Sequence, residues 1–190
     1  MPNWCSNYVS MTHDDPAMLE RARAAFARGE LLNEFIPCPE ALLTDGATTR
    51  GGPDAAKYDA IRAVNVAEHG FESWYDWRVA HWGTKWDIGS EDGAELVGDV
   101  LQLSFDSAWA PPCDAYARLE EQGFRIEAFY YEPGMAFCGS WINGADEEVS
   151  IPSTSKEAAL VIPEEIDGIF DIVNNMAMWE EEEAAYNSED

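Results

Sequence analysis

Residues 4–11 alternate between two faces, with Cys5, Asn7, Val9 and Met11 on one and Trp4, Ser6, Tyr8 and Ser10 on the other. That period of two is the signature of a β-strand. Asp15-Pro16 follows, an N-cap and a first-turn proline. The helix they open carries Leu19, Ala22 and Phe26 on its apolar side and stops at Gly29. Residues 37–57 are punctuated by Pro37, Pro39, Gly46, Gly51, Gly52 and Pro53 and read as irregular. Gly51-Gly52 lacks a following Lys-Ser or Lys-Thr pair, which argues against a phosphate-binding loop.

Helical spacing resumes from Tyr58 to His81, predicted as two pieces broken near Gly70. Ile61, Val64 and Glu68 step through the first piece, and Trp74, Trp77 and His81 through the second, as a core stripe would. Thr84 to Ile88 predicts a short strand, followed by a loop and a strand ending in Leu101, Leu103 and Phe105. Trp109-Ala110-Pro111-Pro112 opens a further helix and Gly123 closes it. Phe124 to Glu132 is the clearest strand, with Phe124, Ile126, Ala128 and Tyr130 on one side. Pro133-Gly134 turns it into a partner, Met135 to Trp141, and Asn143-Gly144 signals a hairpin to a last strand at Val149 to Ile151.

The skeleton of this order is β-α-β-β-α-β, which predicts an α+β fold: a ferredoxin-like antiparallel sheet backed by helices, with additions. It divides into a body over residues 1–152, with helices inserted at about 58–82, and an acidic C-terminal helix and tail over 153–190 packed on that body. After a Ser153-Thr154-Ser155 linker, residues 163–179 predict one amphipathic helix whose buried stripe is Ile166, Ile169, Phe170, Val173 and Met176 or Ala177. Glu180, Glu181, Glu182 and Glu183 then oppose the helix dipole, which predicts a frayed end available to a partner.

Four segments carry a family resemblance: Met1-Pro2-Asn3-Trp4-Cys5-Ser6-Asn7, Trp82-Gly83-Thr84-Lys85-Trp86-Asp87, Phe105-Asp106-Ser107-Ala108-Trp109-Ala110-Pro111-Pro112, and Tyr131-Glu132-Pro133-Gly134-Met135-Ala136-Phe137-Cys138-Gly139. In this order they resemble the YubB-like proteins of phages and conjugative plasmids. The resemblance implies a ferredoxin-like domain in the second part of the chain and a home on mobile DNA. It implies no particular activity. It does not extend to the loop at 44–57 or to the tail after Ser155.

Charge changes the picture most. The chain of 190 residues has 37 Asp and Glu against 11 Lys and Arg, a net charge of −26. Residues 1–85 hold 12 acidic and 8 basic side chains, whereas residues 86–190 hold 25 acidic and 3 basic (Arg118, Arg125 and Lys156). Such a field repels nucleic acid, itself a polyanion, and attracts basic partners. Acidity that served only solvation or salt adaptation would spread over the whole surface. With 46% apolar residues and 12% aromatics the chain has ample material for a core.

Four cysteines (Cys5, Cys38, Cys113, Cys138) show no C-x-x-C pair, and the start carries no basic region with an apolar run. The expectation is reduced, buried thiols in a cytoplasmic protein with no membrane span. The histidines (His13, His69, His81) show no zinc spacing, so no metal or cofactor is expected. Cys5 or Cys138 with His81 could form a nucleophilic pair, but no signature supports it. Lys85 between Trp82 and Trp86 reads either as a stacking platform with a phosphate contact or as a lysine packed on an indole, and the net charge favours the second. The loop from Asp87 to Asp99 lacks a calcium-loop pattern.

The candidate site residues are therefore the carboxylates, in three clusters: Asp87, Glu91, Asp92, Glu95 and Asp99; Asp146, Glu147 and Glu148; and Glu164, Asp167, Asp171 with Glu180 to Glu183. On a continuous helix Asp167 and Asp171 would stand ~6 Å apart along the axis, a phosphate-like separation. The chain is read as a non-enzymatic inhibitor from a mobile element, acting in the host cytoplasm. It would fill the basic groove of a nucleic-acid-binding defence complex, anti-CRISPR or anti-restriction in type, by presenting a DNA-mimicking acidic surface. The alternatives are an acidic structural or regulatory module and an unrecognised enzyme.

Overall fold

The computed structural model describes residues 3–44 and 50–187. Six strands form one sheet: β1 (Trp4–Thr12), β2 (Ala94–Val97), β3 (Val100–Ala108), β4 (Arg125–Glu132), β5 (Phe137–Ile142) and β6 (Ala145–Ser150), in the order β2-β3-β1-β4-β5-β6. Every neighbouring pair is antiparallel. The first four strands keep the ferredoxin-like order, and β5 and β6 extend it as a meander. That core starts at residue 4, not in the second part of the chain, because β1 is its central strand.

Alternation sets the inner face. Val9 lies opposite Leu103 on one side and Ala128 on the other, and Met11 opposite Leu101 and Ile126. All six are buried. Against them pack α1 (Pro16–Ala27), α2 (Leu31–Phe35), α4 (Trp74–Trp82) and α5 (Cys113–Glu120) through Phe26, Leu32, Trp82 and Leu119. Asp15 caps α1 by accepting from Ala17 N at 2.9 Å. Trp82 is fully buried, and its indole N–H is satisfied by Ile36 O at 3.0 Å.

Several expectations are corrected. The inserted helix α3 (Ala55–His69) ends at Gly70 as expected, but its buried side is Arg62 and Asn65, while Val64 is 53% exposed. Asn65 donates to Glu72 O at 2.8 Å, so a polar contact orients this helix. Thr84 to Ile88 is not a strand. The β3 edge is taken by β2 further along, and at Ala108 the Thr84 hydroxyl serves its N–H and carbonyl, both at 3.2 Å. The second strand is β2, joined to β3 by Gly98-Asp99. Asn143 and Gly144 both have positive φ, the geometry a two-residue hairpin turn requires.

The tail departs furthest. In place of one helix over 163–179 there are two, α7 (Glu164–Phe170) and α8 (Ile172–Asn187), preceded by α6 (Ser155–Val161). The supposed linker caps α6, since Thr154 Oγ1 accepts from Glu157 N and donates to Glu157 Oε2. Between α7 and α8 the chain turns at Asp171, with φ of 52°. Ile166 and Ile172 are buried with Cys138, Ala158 and Ile162 in a second core on the outer face, beneath which lie Phe129, Tyr131 and Val149. Ile169 falls outside the stripe and is exposed. The outer face of β1 and β3 carries Ser6, Ser10, Gln102, Ser104 and Asp106 together with Trp4 and Tyr8.

Candidate partner-binding surface

Ion pairing separates the two halves of the charge distribution. Among the described residues, the carboxylates in ion pairs are Asp14, Glu20, Glu30, Glu34, Asp59 and Glu72. Among the described residues, no carboxylate from Asp87 onward pairs with a Lys or Arg. The acidic surplus is therefore unneutralised where it is densest.

The three clusters do not share one face. Glu91, Asp92, Glu95 and Asp99 are exposed along the β2 edge. Asp146, Glu147 and Glu148 lie on β6, the other edge, five strand intervals or ~24 Å away. Glu147 shares the outer side with Val149, hence with the tail helices, while Asp146 and Glu148 point to the inner side. The tail cluster and Glu147 therefore lie on one side of the sheet, with the β2 cluster at its far edge.

Some of these carboxylates serve the fold. Asp87 accepts from Leu32 N, Asn33 N and Ile88 N at 2.7, 3.0 and 2.8 Å, capping α2; burial nonetheless pushes its carboxyl above the usual range. Asp146 accepts the Tyr130 hydroxyl at 2.7 Å. Asp167 accepts from Val173 N at 2.8 Å at the start of α8, and Asp171 accepts from the Asn174 amide. The expected phosphate-like pair of Asp167 and Asp171 is thus not displayed, because the helix ends between them. Glu180 accepts both the N–H and hydroxyl of Ser155. The run after Trp179 is helical, not frayed. Glu91, Asp92, Glu95, Asp99, Glu147, Glu148, Glu164, Glu181, Glu182 and Glu183 are the exposed remainder.

The sequence reading missed the apolar surface beside the tail cluster. Trp179 is 76% exposed and Tyr186 74%. Between α8 and the end of β4 runs a groove of about 840 Å³ lined by Tyr131, Pro133, Met176, Trp179, Glu182 and Glu183, among others. The signal was present: Met176 and Trp179 continue the apolar stripe of Ile172 at helical spacing, past the point where the body ends, and Glu183 follows one turn on.

The four quoted motif segments converge at one end of the sheet. Trp4 and Trp86 have ring centroids 5.6 Å apart, and Trp109 N donates to Asn3 O at 2.9 Å. Lys85 Nζ sits 3.8 Å from the Trp86 ring centroid and 4.0 Å from that of Trp109, so the lysine packs on indoles. Glu132, fully buried, accepts from Gly134 N and Met135 N and closes the turn beside Asn3.

Nucleophilic chemistry finds no support in the thiols. Burial pushes Cys5 up to about 12 and Cys138 to about 11, and raises Cys113 further. His81 is stacked on Trp77 at 4.0 Å with Nδ1 against Trp77 O, in a groove lined by no cysteine. These thiols are held neutral, unlike activated nucleophiles. Among the described residues no group of three or more His, Cys, Asp or Glu could hold a metal ion, and no helix is long and apolar enough to cross a membrane.

No family model and no curated protein matches the chain. A solved structure, protein api92 from Yersinia pseudotuberculosis, of family DUF1281, is similar at 11% identity and a TM-score of 0.38, over 80% of this chain and 99% of that one.

Proposed function

We propose that this chain is a non-enzymatic inhibitor that occludes the basic, nucleic-acid-binding groove of a host defence complex, a CRISPR surveillance complex being the leading candidate. The observation that carries the reading is the unpaired state of the carboxylates beyond Asp87 among the described residues. Holding so many like charges together costs stability. A Lys- and Arg-lined groove would offset that cost and would speed encounter through complementary fields. The resemblance of the four converging segments to YubB-like proteins supports a home on mobile DNA. The acidic mimicry rests on charge density and not on a helical ladder of phosphate-spaced pairs, since Asp167 and Asp171 do not form one.

The test is a competition. Target DNA bound to a purified CRISPR surveillance complex should be displaced by this protein at low salt, and displacement should fade as salt rises. A variant with Glu147, Glu148, Glu182 and Glu183 changed to Gln should displace less. DNA that stays bound at low salt argues for the second reading, a module whose acidity is solvation alone.

A further inference from the structure

The groove beside α8 combines two features that are seldom left together on a free surface: an apolar floor and a rim of unpaired charge. Ile172 and Val173 begin the α8 stripe inside the outer core, and Met176 is half-buried at its margin. Trp179, one turn on, belongs to the same stripe but has left the body, 76% exposed. Tyr131 and Pro133, from the end of β4 and its turn, form the facing wall. Met178 on α8 and Leu160 on α6 are exposed as well, at 52% and 82%. A tryptophan presents ~150–250 Å² for burial and is the residue most enriched among anchors of protein contacts.

Charge selects the occupant. A second copy docking through the same surface would set Glu181, Glu182 and Glu183 against their own counterparts, and like charges in a contact are costly. A polyanion is repelled for the same reason. A segment that presents an apolar side chain to Trp179 and Lys or Arg to Glu182 and Glu183 satisfies both features at once. We propose that this groove is the docking site for a basic amphipathic segment of a partner protein, with Trp179 as its anchor. The proposal deepens the inhibitor reading and rests on its premise of a basic partner. It picks out the tail, and not the β2 edge, as the first point of contact.

The experiment uses the full chain and synthetic helical peptides of about 15 residues. One alternates Arg and Leu on opposite helix faces, a second replaces Leu by Ser, and a third replaces Arg by Glu. The Arg/Leu peptide should bind, the Arg/Ser peptide about tenfold more weakly, and the Glu/Leu peptide not at all. Trp179→Ala should weaken Arg/Leu binding about tenfold with the thermal midpoint unchanged, since the side chain is exposed. Glu40→Gln, at an exposed carboxylate outside all three clusters, should leave binding as it is. Equal binding of the Arg/Leu and Arg/Ser peptides, no effect of Trp179→Ala, or self-association through this face would each overturn the proposal. The two readings fail separately: Trp179-dependent peptide binding without DNA displacement sinks the inhibitor, whereas DNA displacement indifferent to Trp179 sinks the groove.

Discussion

Glu180 on α8 accepts the backbone N–H of Ser155 at 2.6 Å and the Ser155 hydroxyl at 2.7 Å, tying the last helix to the first turn of α6. An α-helix begins with N–H groups that have no partner inside it, and a carboxylate there is also favoured by the helix dipole. One member of the acidic run is therefore structural, while Glu181, Glu182 and Glu183 remain unpaired.

This contact predicts a local response to pH. The hydrogen bonds from Ser155 lower the Glu180 carboxyl from its ordinary 4.5. A depressed acid stabilises the fold above its unfolded value, and the contribution is lost as pH falls through the lowered one. Ser155 amide exchange, taken relative to that of an unstructured chain at the same pH, should be slow from neutral pH down to about 4.5 and accelerate below it. Glu180→Gln should accelerate it already at neutral pH. Equal exchange in the two proteins at neutral pH would show that the clasp is not formed.

Two glycines should respond in opposite directions. A Cβ at Gly139 would lie 2.3 Å from Tyr130 Oη and 2.4 Å from Glu147 O, between β4 and β6. Gly139→Ala should destabilise by about 1–3 kcal/mol. Gly168 lies within α7 with nothing within 4 Å of an added Cβ. Gly168→Ala should stabilise by ~0.5–1 kcal/mol. Denaturant titration of both variants checks the pair.

The thiols supply a chemical test. Cys5 and Cys138 are fully buried, with their pKa values raised to about 12 and 11. In native protein at about pH 8, iodoacetamide should leave both unmodified, and denaturant should expose them to complete alkylation. Mass spectrometry of tryptic peptides reads the outcome. Rapid native labelling of either would contradict the burial described.

Trp82 should be the costliest single truncation in the inner core. It is the last residue of α4, fully buried, and its indole N–H is committed to Ile36 O at the end of α2. Trp82→Ala should cost about 3–5 kcal/mol, measured by denaturant unfolding.

What the sequence made legible followed from local rules. The alternation of β1 and β4, the Asp15-Pro16 cap, the Gly70 break and the Asn143-Gly144 hairpin are each decided within a few residues. What it hid was decided at a distance. Thr84 bonds to Ala108 rather than extending as a strand, and Asn65 orients α3 through Glu72 O. The break at Asp171 was obscured because the apolar spacing of Ile166, Phe170 and Val173 runs across it unbroken, while Asp167 caps the next helix. Likewise, composition located the acidic surplus but not which carboxylates the fold consumes. Asp87 and Glu180 are engaged by backbone N–H groups 55 and 25 residues away.

The salt dependence of binding is the most direct measure of the central claim. Affinity for the purified surveillance complex should be followed from about 50 to 200 mM salt, for the native chain and for the variant with Glu147, Glu148, Glu182 and Glu183 changed to Gln. The account predicts that log Kd rises steeply and linearly with log salt, and that the variant binds more weakly with a shallower slope. An affinity indifferent to salt, or one that survives neutralisation of those four side chains with its slope intact, would contradict it.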